Sequence, residues 1–149
     1  MTASVAASTV TLTAKNKGVC GNSIDVRVNY YSDEVTPPGL TATVTAMASG
    51  ATNPDVNAVL TAIGDEWYTD FAMPYTDTAN VVAFETELAT RFGPLQMIDG
   101  NVYIFRSDTH ANLITVGDTR NSPHVVPMGL YKSPTTPWEF SAMIAAACA

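Results

Sequence analysis

Charge is scarce in this chain. Only 14% of its 149 residues are Asp, Glu, Lys or Arg, against roughly 25% in ordinary soluble domains. A surface so poor in charge must be covered with Thr, Asn, Ser and Ala, or by other protein. The charges present are mostly acidic, 14 acids against 7 bases, for a net charge of −7. That balance argues against nucleic-acid binding, which needs Lys and Arg to displace phosphate counterions. No apolar run approaches the roughly 18–20 residues that cross a bilayer, so no membrane partner is expected. Met1–Ala14 has neither a basic leader nor a long apolar h-region, and the chain reads as an intracellular product or one assembled inside a cell. Cysteine is limited to Cys20 and Cys148. Sequence permits a disulfide between them, but in a reducing compartment two free, buried thiols are expected.

Internal repeats and low-complexity linkers are also missing, so residues 1–149 read as a single domain with an ordinary hydrophobic share of 46%. Thr9–Ala14 alternates apolar and polar residues, as does Ile24–Tyr30, with Ile24, Val26, Val28 and Tyr30 on one side. Pro37, Pro38 and Gly39 interrupt, and Leu40–Met47 alternates again. The pattern predicts that Ile24–Tyr30 and Leu40–Met47 pair as a long-looped hairpin.

After Gly50 the period changes from two to 3.6. Asn53 suits an N-cap and Pro54 a first helical position; Val56, Val59, Leu60 and Ile63 form a stripe, and Gly64 ends it. Trp67–Met73 is β-prone. Thr76 or Asp77 then opens a helix with the stripe Val81, Phe84 or Glu85, Leu88 and Phe92, closed by Gly93-Pro94. Val102–Phe105, four apolar residues in a row, predicts a strand covered on both faces. Ser107 or Asp108 opens a helix to about Val116, and Val125–Met128 is a further short strand. Thr136-Pro137-Trp138-Glu139 is a capping box opening a last helix. This alternation predicts an α/β fold: a largely parallel sheet with helices on its faces, plus an antiparallel amino-terminal hairpin strand.

The last helix continues without a charge from Phe140 to Ala149. A helix that is apolar or small on every side is normally buried on every side. The expectation is therefore that more polypeptide or a partner covers it, and that Met143–Cys148 forms an exposed apolar patch in this chain alone.

Signatures of chemistry are thin. There is no Gly-x-x-x-x-Gly-Lys-Ser/Thr loop, no Gly-x-Gly-x-x-Gly run and no Gly-x-Ser-x-Gly elbow. His110 and His124 fall in different elements, and the cysteines lack metal spacing, so neither metal nor other cofactor is expected. In open α/β sheets ligands bind beyond the carboxyl ends of the strands, which singles out Asp70, Tyr75, Asp77, Arg106, Asp108, His110 and Ser133. As an enzyme, Asp77, Asp108 and His110 would hold a metal or act as acid and base. Yet Asp77, Asp108 and Ser133 each sit where a helix starts, and a cap alone contributes about 1 kcal/mol. Capping is the stronger reading. A triad of Asp77, His110 and Ser122 has the right residue types, but Pro123 offers no N–H for an oxyanion hole. The aromatics Tyr30, Tyr31, Trp67, Tyr68, Tyr103, Phe105 and Trp138 are read mostly as core packing.

Several phrases are more specific: Leu12-Thr-Ala-Lys-Asn-Lys-Gly18, Gly21-Asn-Ser-Ile-Asp-Val-Arg-Val-Asn-Tyr-Tyr31, Asp65-Glu-Trp-Tyr-Thr-Asp-Phe-Ala-Met-Pro-Tyr-Thr-Asp77, Arg120-Asn-Ser-Pro-His-Val125 and Ser133-Pro-Thr-Thr-Pro-Trp-Glu139. Together they resemble the tail sheath proteins of Mu-like contractile phages, from about Leu12 onward. The resemblance implies a structural virion protein, without catalytic residues, cofactor or metal, assembled in the host cytoplasm. It implies homo-oligomeric, hexameric rings stacked around the tail tube that contract during infection, with tube and baseplate proteins as partners. Family subunits are much longer, so residues 1–149 would be an excised region; the arms that interlock neighbours in such sheaths are not identifiable. The rival from another class is a small α/β hydrolase or nucleotide-binding enzyme with its site near Asp77, Asp108 and His110.

Overall fold

The computed structural model describes residues 1–149, which form two compact units, Met1–Thr52 and Asn53–Ala149. The first unit holds an antiparallel hairpin of β1 (Thr2–Ala6) and β2 (Thr9–Thr13), in which Val5 faces Val10 and Thr2 faces Thr13. A two-residue connection makes this pairing local, with Ala7 at a positive φ of 52°. A 3₁₀ turn follows at Val19–Ser23. Asn22 then ties the unit together, its side-chain amide donating to the Gly50 carbonyl and accepting the Gly50 N–H at 3.1 and 2.7 Å.

The hairpin expected from Ile24–Tyr30 and Leu40–Met47 does not form; both segments lie outside strands, with Val28, Tyr30, Leu40 and Val44 exposed. Asn29 takes a φ of 58° and donates from its amide to Thr36 Oγ1 at 2.9 Å, which breaks the extended run. Alternation supplies a face to bury, but a strand also needs a ladder partner, and here the tight Ala7–Ser8 turn gives that pairing to β1 and β2 instead.

The second unit contains the α/β sheet. Its order is α1 (Asn57–Ile63), β3 (Asp70–Met73), α2 (Thr78–Arg91), β4 (Asn101–Ser107), α3 (His110–Asp118), β5 (Val125–Leu130) and α4 (Pro137–Cys148). The strands are all parallel in the order β3-β4-β5, with Met73 beside Ile104 and Val102 beside Val125. β4 is central, and Val102, Tyr103, Ile104 and Phe105 are buried in succession. Successive side chains of a strand point to opposite faces. Val102 and Ile104 join Met73, Val125, Val56, Leu60, Val81, Phe84 and Leu88 in one core. On the other face α4 packs across β4 and β3, with the Phe105 and Phe140 rings stacked at 4.1 Å and Ser141 buried. Each such buried large side chain stabilises by about 1.5–3 kcal/mol.

The element ends depart from the sequence reading in specific ways. Asn53 and Pro54 do not open α1; Val56 precedes it, and Asp55 Oδ1 accepts the Asn57 N–H at 3.0 Å. Gly64 does stop α1, at a φ of 54°. β3 starts only at Asp70, because Trp67 and Tyr68 lie in the exposed loop before it. On α2 the stripe is Val81, Phe84, Leu88 and Arg91, while Phe92 is exposed. The capping box of α4 is present, the Glu139 carboxylate accepting from the Thr136 N–H at 3.4 Å. Beyond Ser141, α4 turns Met143, Ala146, Ala147 and Cys148 outward. Neither thiol is buried: Cys20 is half-covered and Cys148 exposed. No helix is long and apolar enough to cross a membrane.

Arg91 is the least expected core residue, at 3% exposure. Its guanidinium donates to the carbonyls of Gly64 and Glu66, the latter at 3.1 Å, and pairs with Glu87 at 3.2 Å. It thus satisfies two carbonyls of the turn that follows α1. Arg91→Met keeps much of the volume but leaves these acceptors without a donor. The substitution is expected to lower stability by about 2–4 kcal/mol. Urea unfolding followed by circular dichroism measures this, and an unchanged midpoint would contradict the role.

Candidate functional site

The carboxyl ends of β3 and β4 bring the chemistry-bearing residues Asp77, Arg106, Asp108 and His110 to one edge of the sheet. Asp77 precedes α2 in extended conformation, and its Oδ2 accepts the Asn80 N–H at 3.2 Å. Its Oδ1 accepts from the side-chain amides of Asn53 and of Asn80, the latter at 3.1 Å. Burial pushes the Asp77 carboxyl up, but these hydrogen bonds from Asn53 and Asn80 outweigh it and hold the pKa below its ordinary 3.8. Asn80 is itself buried and joins two helices, accepting the Val56 N–H at 3.1 Å and donating to the Pro54 carbonyl at 2.9 Å. Asp77 is therefore a satisfied N-cap at the joint between α1 and α2.

Asp108 is equally engaged. Its Oδ2 accepts from Arg106 Nε and Nη2 at 2.9 and 2.7 Å, and its Oδ1 from Asn112 Nδ2 and the Thr109 N–H at 2.7 and 2.8 Å. The Asn112 and Thr109 bonds, with the Arg106 guanidinium, hold its pKa below the ordinary value. The N-cap of α3 is Thr109 and not Asp108, so Asp108 braces the first turn from one position earlier. His110 is exposed on that turn. No hydrogen bond or ion pair joins Asp77, Asp108 and His110, and no three His, Cys, Asp or Glu side chains converge as metal ligands.

The other candidates lie elsewhere. Asp70 opens β3 and so belongs to the opposite edge, where it accepts from the Tyr103 hydroxyl at 3.0 Å. Burial first, then the Asp70 carboxylate and Cys148, push the Tyr103 phenol up to about 12. Ser122 precedes β5, at the amino end of the strands, and its Oγ accepts the His124 N–H at 3.3 Å. A parallel sheet thus places Ser122 at the end opposite Asp77 and His110. Ser133 does not cap α4, whose N-cap is Thr136; it closes a turn with Thr135 through bonds of 3.2 Å in both directions.

Trp67, Tyr68 and Phe92, which the pattern assigns to buried positions, and Leu95 and Met97, which it leaves unassigned, define the other edge. The loops before β3 and β4 expose Trp67, Tyr68, Phe92, Leu95 and Met97. Trp67 Nε1 donates to Asp99 at 3.3 Å, and Gln96 donates to Asp65 at 3.4 Å. Phe92 sits edge-on to the buried His124 ring at 5.7 Å, and His124 Nδ1 lies 3.1 Å from the Gly100 carbonyl. The signal for this surface was present in Asp65-Glu66-Trp67-Tyr68, where acids flank aromatics. Assigning Trp67 and Tyr68 to a strand core hid it.

The Asp77 carboxylate is favoured in the folded state, so its contribution is full above the unfolded value near 4 and declines as pH falls through the lowered folded value. Asp77→Ala is expected to cost about 1 kcal/mol at pH 7, with the gap from the parent chain narrowing below about pH 4. Urea titrations at pH 7 and pH 3 check both the size and the sign.

Comparison with known proteins places this geometry in context. The family model for the phage tail sheath protein central domain matches residues 49–149. Over 147 residues, 99% of this chain, the sequence is 40% identical to the Mu-like prophage FluMu tail sheath protein of Haemophilus influenzae. The chain spans 30% of the length of that relative.

Proposed function

From the premise that the chain belongs to the phage tail sheath protein family, we propose that it is a structural region of a contractile tail sheath and has no catalytic role. In this reading residues 1–149 are one region of a longer subunit, located in the virion tail after assembly in the host cytoplasm. Subunits stack as hexameric rings around the tail tube, bind tube and baseplate proteins, and contract during infection. Nucleic acid, membrane and cofactors have no part in it. The observation that carries the reading is identity sustained across nearly the whole chain.

The physical demands of such a sheath match the second unit. A tube requires heterologous contacts, because head-to-tail surfaces that do not close on themselves generate helices and stacked rings. Contraction requires bodies that move without unfolding while their contacts take two arrangements. A sheet whose central strand is buried on both faces, with helix ends tied by Asp77, Asn80 and Arg91, is such a body. The polar residues at the carboxyl edge of the sheet support the same reading, since each carboxylate there already has its hydrogen bonds within the fold.

The test is immunogold electron microscopy of phage particles with antibodies raised against this chain. Label is expected along the tail sheath, on extended and contracted tails alike. Label confined to another part of the particle would overturn the proposal, as would substrate turnover by the purified chain that is lost in Asp108→Asn or His110→Ala.

A further inference from the structure

The two edges of the parallel sheet differ in kind. The loops before β3 and β4 emerge at the same end, because the strands run in one direction. There Trp67 is 64% exposed, Met97 72% and Leu95 98%, beside exposed Tyr68 and Phe92. Large apolar side chains gathered at one place on a soluble surface mark an interaction site, and Trp, Tyr, Phe and Met are the types enriched at protein interfaces. The cluster is also held in shape. Arg91 fixes the Gly64 and Glu66 carbonyls, Asp99 accepts from the Trp67 indole, and a Cβ on buried Gly100 would come within 3.1 Å of the Tyr68 carbonyl oxygen. An anchor ordered before binding loses less entropy on docking.

This edge carries one sign of charge. Asp65, Glu66 and Asp99 are exposed, and none is ion-paired to a Lys, Arg or His. Eleven acids and four bases fall in Asn53–Ala149, against three of each in Met1–Thr52, so the whole net charge of −7 lies on the second unit. The bases of the second unit are mostly engaged: Arg91 with Glu87, Arg106 with Asp108, and Arg120 with Glu85.

The complementary surface is in the first unit. Lys15 and Lys17 are exposed, and neither is ion-paired to a carboxylate. Lys17 lines a concavity of about 560 Å³ whose wall includes Leu12, Ala14 and Met47. It is a partly apolar hollow with Lys17 in its wall and exposed Lys15 two residues away, opposite in charge to the Trp67 edge.

We propose that the Trp67–Leu95–Met97 edge of one copy docks into the Lys17-lined hollow of the first unit of a second copy, with Asp65, Glu66 and Asp99 facing Lys15 and Lys17. The contact joins two different patches. It is therefore heterologous, and repeats from copy to copy without using up either surface. The inference rests on the sheath reading, for which it names one subunit contact. Apolar anchors supply the affinity, and the charges set partner, register and association rate.

The experiment is sedimentation velocity of the chain across a concentration series at low and high salt, with three variants. The parent chain is expected to associate with rising concentration, more weakly at high salt. Lys15→Glu with Lys17→Glu is expected to weaken association by about tenfold or more, and Trp67→Ala with Leu95→Ala at least as much. Combining the lysine reversals in one chain with Asp65→Lys and Glu66→Lys, which leave the Trp67–Asp99 bond in place, is expected to restore association. Circular dichroism confirms that each variant is folded. A parent chain that stays monomeric overturns the proposal, and so does association that survives the reversals or is not restored by the compensating changes. A change in the hydrodynamic size of the monomer without association would assign the two surfaces to contact within one chain, which also overturns it. Tails still labelled by the antibody in any of these cases would leave the sheath assignment standing and remove only this contact.

Discussion

Everything in the second unit is arranged around the burial of β4 on both sides. Four consecutive apolar residues cannot all face one way in an extended chain, so Val102 and Ile104 need one cover and Tyr103 and Phe105 another. The α2 helix with α1 supplies the first and α4 the second. Neither layer suffices alone. Without α4, Phe105 would lose its stacked partner Phe140; without α2, the core would lose Val81, Phe84 and Leu88. The helix on each face is thus a direct consequence of a seven-residue strand with no wet side.

Once those layers are packed, the polar groups at their joints must be satisfied. Asn80 stands at the start of α2 and fulfils both a donor and an acceptor of the segment opening α1, while Asp77 receives amides from Asn53 and Asn80. Arg91, at the other end of α2, does the same for the carbonyls of Gly64 and Glu66 just past α1. One helix therefore fastens its neighbour at both ends through side chains reaching across 24–27 residues of sequence. That use of carboxylates and amides accounts for polar residues that resemble a catalytic set when read only by type and order.

Much of the second unit was legible from period and punctuation: Gly64, Asp77, Gly93-Pro94 and the Thr136–Glu139 box all mark real helix ends, and the Val102–Phe105 run is the central strand. These signals are local, written within one turn or one pleat. What escaped was non-local. Arg91 takes the stripe position assigned to Phe92 because the carbonyls of Gly64 and Glu66, just past α1, wait for a donor there, which no window on α2 can reveal. Asn53 looked like a cap and instead serves Asp77. In the first unit, alternation in Ile24–Tyr30 and Leu40–Met47 named a dry side without naming anything to cover it, and Asn29 at φ 58° interrupts the extended path. At the candidate site, which end of the sheet a residue occupies depends on where its strand starts; Asp70 changed ends because β3 begins at that residue.

The parallel pairing of β3, β4 and β5 also has a mechanical side. Neighbouring strands aligned in one direction, gripped at opposite ends, are loaded in shear: a pull along the strand axis strains all the ladder bonds between Asn101 and Ser107 together. A hairpin such as β1–β2 pulled apart at its open end instead peels one rung at a time. Traction along its strands would thus meet its stiffest resistance in the three-stranded sheet, and the short hairpin would yield first.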